Sequence, residues 1–344
     1  MLARWLNRIW YQGAFGAALL APLAWIFAVL VAVRRSAYAR GWLAAARVSR
    51  PVIVVGNLSV GGSGKTPFTL WLALALSARG LRTGIASRGY GGRQRSAALV
   101  PATAADPAIY GDEPVMLAAE AGVPVAVARR RADAARCLIE QAGVDCVLLD
   151  DGLQHYALQR DLEIVVIDAS VGLGNGRLLP AGPLREPLDR LQRVNVLVVN
   201  GSGAGAGTGL PIAPPWLQGP AQLLSMRLGV SSVEAVAAAS AESRRLEDFA
   251  GQTVHALAAI AQPQRFFATL RAAGLNVIEH VAPDHHAWRS AELRFADQLP
   301  ILMTAKDAVK CRHFAPRNCW QVRVRAEVQG GESLVNQIVA LCGR

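Results

Sequence analysis

The residues with the clearest chemical potential lie in one stretch, Gly56-Asn-Leu-Ser-Val-Gly-Gly-Ser-Gly-Lys-Thr66. Three closely spaced glycines let backbone N–H groups close around an anion, and a lysine and a hydroxyl follow at once. A β-branched run, Pro51 to Val55, precedes the stretch, and an apolar helical pattern, Phe68 to Ser77, follows it. Strand, glycine-rich turn, Gly-Lys-Thr and helix make a phosphate cradle in which the helix N-terminus adds its positive end. Ser59, Val60, Gly61, Gly62, Ser63, Gly64, Lys65 and Thr66 are the expected nucleotide contacts, with Lys65 on the β- and γ-phosphates and the Thr66 hydroxyl on Mg²⁺. Ser59 stands where this motif has its first glycine, and Val60 stands where membrane-associated dimerising ATPases carry a further lysine.

Acids and bases follow at strand ends. Val144 to Leu149 reads as a buried strand ending in Asp150-Asp-Gly-Leu-Gln-His155. A carboxylate at the end of a strand beside the cradle is the usual partner of Mg²⁺, and two adjacent acids allow a division of labour. The competing reading of such a pair is a helix cap. A helical turn after Asp151 would bring His155 against it. Asp112-Glu113 opens an alanine-rich helical stretch, which is either an acidic helix start or a base beside a metal ligand. Ser87-Arg-Gly-Tyr-Gly-Gly-Arg93 follows another short strand, and Arg88 could grip an anion. Pro283-Asp-His-His286 is the polar cluster of the C-terminal third, without the spacing of a zinc site. Thr304-Ala-Lys-Asp-Ala-Val-Lys310 holds two of the three lysines and is similar to the base-reading loops of P-loop GTPases, without their leading asparagine.

The elements that must position these groups follow from periodicity. Short β-branched runs at 83–86, 163–168, 194–200, 253–260, 276–281 and 300–303 alternate with helical stretches, the mark of parallel α/β layers. The chain of 344 residues suggests about two domains. Residues 201–220, with six glycines and four prolines, read as a linker or loop between a P-loop domain at 46–200 and a smaller α/β unit at 221–344. Ala14 to Val33 is apolar throughout and long enough to span a bilayer core, with Arg4 and Arg8 before it and Arg34, Arg35, Arg40, Arg47 and Arg50 after it. Residues 1–45 are therefore expected to form a membrane anchor with a basic flank, the alternative being a buried core helix. Composition agrees: 52% hydrophobic and 18% charged residues exclude disorder, and five cysteines without a CxxC pair exclude a disulfide scaffold or zinc ribbon. A net charge of +11 suits an anionic membrane or a phosphorylated substrate; no basic stretch interleaved with aromatics points to nucleic acid.

Taken together, the cradle, Ser87–Gly92, Gly111-Asp-Glu-Pro114, Asp150–His155, Leu184-Arg-Glu-Pro187, Pro283-Asp-His285 and Thr304–Lys310 closely resemble the tetraacyldisaccharide 4′-kinases of lipid A biosynthesis. Ala305 departs from that pattern, where an acidic residue is usual. The resemblance implies a P-loop α/β/α domain joined to a smaller α/β/α domain, with the site in the cleft between them. It implies ATP- and Mg²⁺-dependent phosphorylation of the 4′-hydroxyl of a tetraacyldisaccharide 1-phosphate at the anionic bacterial inner membrane, with catalytic domains in the cytoplasm and no protein partner. Within that frame Asp112 is the expected general base with His285 assisting it. Lys65 and Asp151 complete the catalytic set; Thr66, Asp150 and Glu113 are the candidate metal ligands; Arg88, His155 and Arg185 face the substrate. Two other readings stay open at this point: a membrane-associated P-loop ATPase switch, and a GTPase-like binding module using Thr304 to Asp307.

Overall fold

A computed structural model describes residues 2–12, 16–201, 221–237 and 242–343. The expected 201–220 linker lies, apart from Gly201, outside the described residues. The strands are β1 (Val52–Gly56), β2 (Thr83–Ser87), β3 (Ala98–Val100), β4 (Val125–Val127), β5 (Cys146–Asp150), β6 (Leu162–Asp168), β7 (Val196–Asn200), β8 (Gln222–Ala235), β9 (Ser243–Arg244), β10 (Thr253–Ala258), β11 (Asn276–Val281), β12 (Ile301–Thr304) and β13 (Cys319–Gln329). The helices are α1 (Leu2–Gln12), α2 (Ala17–Ala39), α3 (Lys65–Ala78), α4 (Pro107–Tyr110), α5 (Asp112–Glu120), α6 (Arg131–Ala142), α7 (Pro263–Ala272), α8 (Ala305–Cys311) and α9 (Gly331–Leu341).

Among the described residues these strands form one sheet in the order β11-β10-β12-β13-β8-β7-β6-β1-β5-β2-β4-β3, with β9 paired to β8. The cradle strand β1 is central to its half, between β5 and β6 and parallel to both. Each β1 residue is buried because the strand is covered on both faces. Ile53 and Val55 pack with Phe68, Leu72 and Leu76 of α3 and with α5 and α9, whereas Val52 and Val54 face α6. The second half repeats the layering: Val254, Ala256 and Ala258 meet Phe266, Phe267 and Leu270 of α7, and Leu257 and Ala259 meet Ala308 and Cys311 of α8. This is the expected α/β/α architecture in each half. A long antiparallel pair, β8 with β13, carries the sheet from one half to the other, while β7 and β8 pair in parallel.

The apolar run forms α2, whose mean hydropathy over its most apolar window is 2.2 with none of that window buried. A core helix would be covered; this one exposes Leu19, Leu23, Trp25, Ile26 and Leu30. The shorter α1 is tied to the body instead. Ile9 is buried, the Trp10 indole donates to the Pro180 carbonyl at 2.9 Å, and the Tyr11 hydroxyl donates to the Val60 carbonyl of the cradle at 3.5 Å.

Candidate active site

In a parallel sheet the loops after the strands gather at the carboxyl edge, where ligands bind. The groups of the site come largely from such loops: the cradle after β1, Arg88 to Gly92 after β2, Arg131 after β4, and Asp150-Asp151 at the end of β5. Gly64 caps α3 with φ +91°, and a Cβ there would lie 2.7 Å from the Asn200 amide. That amide donates to the Ser63 carbonyl at 3.1 Å, so β7 braces the cradle from behind. Ser59 fits the first glycine's place because the loop is extended there and pairs with Leu184; Val60 N–H donates to the Pro183 carbonyl at 2.9 Å. The Ser63 hydroxyl and the Asn57 side-chain carbonyl are buried without a partner inside this loop.

Asp150 is buried and accepts hydrogen bonds from the hydroxyls of Thr66 and Thr69, each at 3.1 Å. Burial, and then the negative charge of Glu113, push its carboxyl up to about 6, against the pull of Lys65. Asp151 adopts φ +52° and faces two cations, Lys65 Nζ at 3.7 Å and Arg185 Nη1 at 3.3 Å from both its oxygens. Burial would raise Asp151, but Lys65 and then Arg185 outweigh it and hold its carboxyl below the usual range. The two acids thus differ in their partners: Asp150 meets the cradle's hydroxyl and Asp151 its lysine.

His155 sits elsewhere than a helical turn would put it. Residues after Asp151 form successive turns, with His155 N–H on the Gly152 carbonyl, because Gly152 packs its backbone flat against Leu149 and Val54. His155 Nε2 instead accepts the first N–H of α6, from Arg131, at 3.4 Å. Burial, then Arg131 and three further arginines, depress this imidazole to about 4, so it remains a neutral acceptor. Arg131 is the residue the sequence reading missed. It is buried and donates from Nη2 to the Asp150 carbonyl at 3.2 Å, while Nε and Nη1 have no partner. Burial lowers it to about 10, partly offset by Asp151 and Asp150, so it stays cationic near neutral pH. The available signal was Arg129-Arg-Arg131 directly after the apolar β4.

The second cluster joins residues distant in sequence. Asp112, at the first turn of α5, is buried, and His285 Nδ1 lies 2.9 Å from its Oδ2 and 3.1 Å from its Oδ1. Asp112 is placed by close backbone packing: Gly111 has φ +93°, and a Cβ there would lie 2.5 Å from the Tyr90 carbonyl. The Tyr90 ring leans on the His285 ring with centroids 5.1 Å apart. His285 itself adopts φ +65°, so two of the four described non-glycine residues at positive φ, Asp151 and His285, belong to the site. Glu113 meets Lys306 Nζ at 3.2 Å. Burial would lower the Lys306 ammonium, but Glu113 first, then Asp112 and Asp284, hold it above the ordinary lysine value. Arg88 is exposed, and its charge reaches Arg131 and His155.

The Thr304–Lys310 segment is no base-reading loop. Asp307, the residue such a loop would present to a base, is fully buried and accepts from Ala259 N–H at 3.0 Å, Trp288 Nε1 at 2.9 Å and Thr304 Oγ1 at 2.7 Å. Lys310 pairs with it at 2.8 Å.

The arrangement combines an anion cradle, a hydroxyl–carboxylate pair, several cations and a carboxylate–imidazole pair, which suits transfer of a phosphoryl group to an acceptor with an ionisable proton. Comparisons agree. Residues 16–342 match the family model described as tetraacyldisaccharide-1-P 4′-kinase. Curated tetraacyldisaccharide 4′-kinases are similar along most of their length: that of Alkalilimnicola ehrlichii is 48% identical over 89% of this chain and 87% of its own. The enzyme of Pseudomonas aeruginosa is 46% identical over 92% and 91%. The crystal structure of LpxK from Aquifex aeolicus in complex with ATP superposes with a TM-score of 0.77 at 26% identity, covering 95% of this chain and 99% of that one. With the fold, the site and these likenesses in agreement, the chain belongs to the tetraacyldisaccharide 4′-kinase family.

Proposed function

We infer that this protein transfers the γ-phosphoryl group of ATP to the 4′-hydroxyl of a tetraacyldisaccharide 1-phosphate, a step of lipid A biosynthesis. The observation that carries the reading is the Asp112–His285 pair, a base assembled from two distant segments of a chain whose β1–α3 turn cradles phosphate. A nucleotide switch has no need of a second segment to supply such a pair.

Thr66 and Asp150, a hydroxyl and a carboxylate 3.1 Å apart, are hard oxygen donors that would hold Mg²⁺. Held by these two side chains, the ion would offset charge on the β- and γ-phosphates. Lys65, oriented by Asp151, would lie along the same phosphates, and Arg131, buried against the Asp150 carbonyl, adds positive charge behind them. Asp112 accepts the acceptor's hydroxyl proton as its oxygen bonds to the γ-phosphorus. The bond from that phosphorus to the β-bridging oxygen breaks, and ADP leaves. Positioned bases of this kind contribute about 10²–10⁴-fold.

The proposed organisation has residues 1–45 as anchor, 46–200 as kinase unit and 221–344 as a second unit that closes the cleft. The exposed apolar α2 and the arginines after it support docking at an anionic inner-membrane surface with the site on the cytoplasmic side. Arg88 and Arg185 are the side chains proposed for the anionic acceptor, with His155 as a neutral contact.

The test is transfer of labelled γ-phosphate to tetraacyldisaccharide 1-phosphate in detergent micelles. Acceptor-dependent transfer that falls with Asp112→Asn is expected. ATP hydrolysis indifferent to the acceptor would favour the switch reading.

A further inference from the structure

Arg265, in the first turn of α7, crosses from the second unit to the end of β6. Its guanidinium grips Asp168 with two teeth, Nη1 on Oδ2 and Nη2 on Oδ1, and Nη2 also meets the Ser170 hydroxyl. Asp168 is buried, and its Oδ1 accepts from the Ser170 N–H and hydroxyl, each at 2.9 Å. A cation in the first turn opposes the positive end of a helix. In α7 that turn holds no acidic residue and no side-chain cap, so the counter-charge for Arg265 comes from the other unit.

Both ends of this contact are stiff. Phe266, Phe267 and Leu270 bury α7 against β10. The loop joining that strand to α7 is pinned at Ala259, whose N–H donates to Asp307 at 3.0 Å and whose carbonyl accepts the His285 N–H at 3.3 Å. Next to Asp168, Ala169 N–H donates to the Asn200 carbonyl at 2.8 Å, and the Asn200 amide donates to the Ser63 carbonyl of the cradle at 3.1 Å. The ladder that links the two halves, β8 with β13, shifts register between Arg323 and Val324, and such an irregularity bends a strand pair. The angle between the units therefore depends on contacts beyond the ladder. Because α7 and α8 cover opposite faces of β10, the Arg265–Asp168 and Lys306–Glu113 contacts lie on opposite sides of the sheet. Two ties on two faces hold a hinge that either alone would leave free to roll.

We propose that Arg265 is a positioning residue for phosphoryl transfer: paired with Asp168, it clasps the second unit to the strand ends that brace the cradle and sets the width of the cleft. The proposal rests on the kinase and two-unit reading given above, and it assigns neither residue a contact with ATP or acceptor. Arg265 is 41% exposed, and exposed cations add little to stability, so its removal costs alignment more than folding.

The experiment compares Arg265→Gln, Asp168→Asn and the double variant with wild type, as full chains in detergent micelles with ATP, Mg²⁺ and tetraacyldisaccharide 1-phosphate. Arg265→Gln is expected to lose on the order of 10–100-fold in kcat, with KM for ATP within about threefold because the cradle belongs to the first unit. Asp168→Asn should show a loss of similar size. Since the two side chains act as one contact, the double variant should turn over within about threefold of the slower single variant. Losses that multiply in the double variant, or a kcat for Arg265→Gln within about twofold of wild type, overturn the proposal. So does a KM for ATP that rises while kcat holds, which would make Arg265 a nucleotide ligand. Should an Asp168 variant not fold, Arg265→Lys decides: a kcat nearer wild type than that of Arg265→Gln supports the clasp, because the charge is kept, and a kcat no better overturns it. Failure of the underlying reading looks different, since wild type itself would then transfer nothing, or hydrolyse ATP without regard to the acceptor.

Discussion

At the scale of single residues, the site places charge where water would otherwise be needed to carry it. Asp150 shows the cost most clearly. Its folded-state value, about 6, lies above the ordinary aspartate value of 3.8, so between these the folded protein binds more protons than the unfolded chain. Stability contributed by that group therefore falls as pH rises through this window, and at pH 8 the ionised carboxylate still destabilises the nucleotide-free fold. Asp150→Asn is expected to raise the melting temperature at pH 8, by on the order of 2 kcal/mol of stability, and by less at pH 5. The same variant should lose phosphoryl transfer; thermal melts at the two pH values alongside the transfer assay check both halves. Asp112→Asn belongs to a different class. It keeps the shape of a carboxylate that receives His285 but not its basicity, so kcat should fall about 10²–10⁴-fold with melting temperature and ATP affinity near wild type. A well-folded variant turning over at the normal rate would remove Asp112 from the chemistry.

Elements explain why those residues sit still. The first turn of α5 is held by backbone packing of Gly111 on Tyr90, and the first turn of α8 by Asp307. Gly111→Ala introduces a Cβ 2.5 Å from a carbonyl at φ +93°, a strain of about 1–3 kcal/mol. It should lower the melting temperature and, by shifting Asp112 away from His285, lower kcat more than KM. Asp307→Ala leaves the Lys310 ammonium buried without its counter-charge, which costs about 3–5 kcal/mol. Urea unfolding should register that loss; a change under about 1 kcal/mol would mean the knot holds α8 weakly.

For the whole molecule, the open question is how the body meets a lipid. Truncating the N-terminus would be a poor test, because Ile9, Trp10 and Tyr11 pack on the body and on the cradle loop. The exposed face of α2 is the cleaner target. Replacing Leu19, Leu23, Ile26 and Leu30 together by glutamine should move the protein from anionic vesicles to the soluble fraction in a flotation assay. The melting temperature should change little, since these side chains are 51–81% exposed and hold nothing in place. Unchanged flotation would mean the membrane is met by another surface.

Much of this was legible in the residues alone, where physics is local. The cradle declares itself because glycines, a lysine and a hydroxyl must be contiguous to wrap a phosphate between a strand and a helix. The buried strands β1, β2, β5 and β6 announce themselves as short β-branched or apolar runs because both their faces are covered. The apolar run that becomes α2 is equally plain. What tertiary structure decided is what depends on pairing across long separations. The strand β8 has no continuous apolar run and contains Gly229; it exists through its ladders with β7 and β13. Arg131 looks like one arginine among three until α6 turns it inward beneath Asp150. Asp112 and His285 are 173 residues apart, and Lys306 joins them from a segment whose sequence suggested a nucleotide base instead. Charge networks of this kind have no sequence period, because their members are selected by where loops converge and not by spacing along any one element.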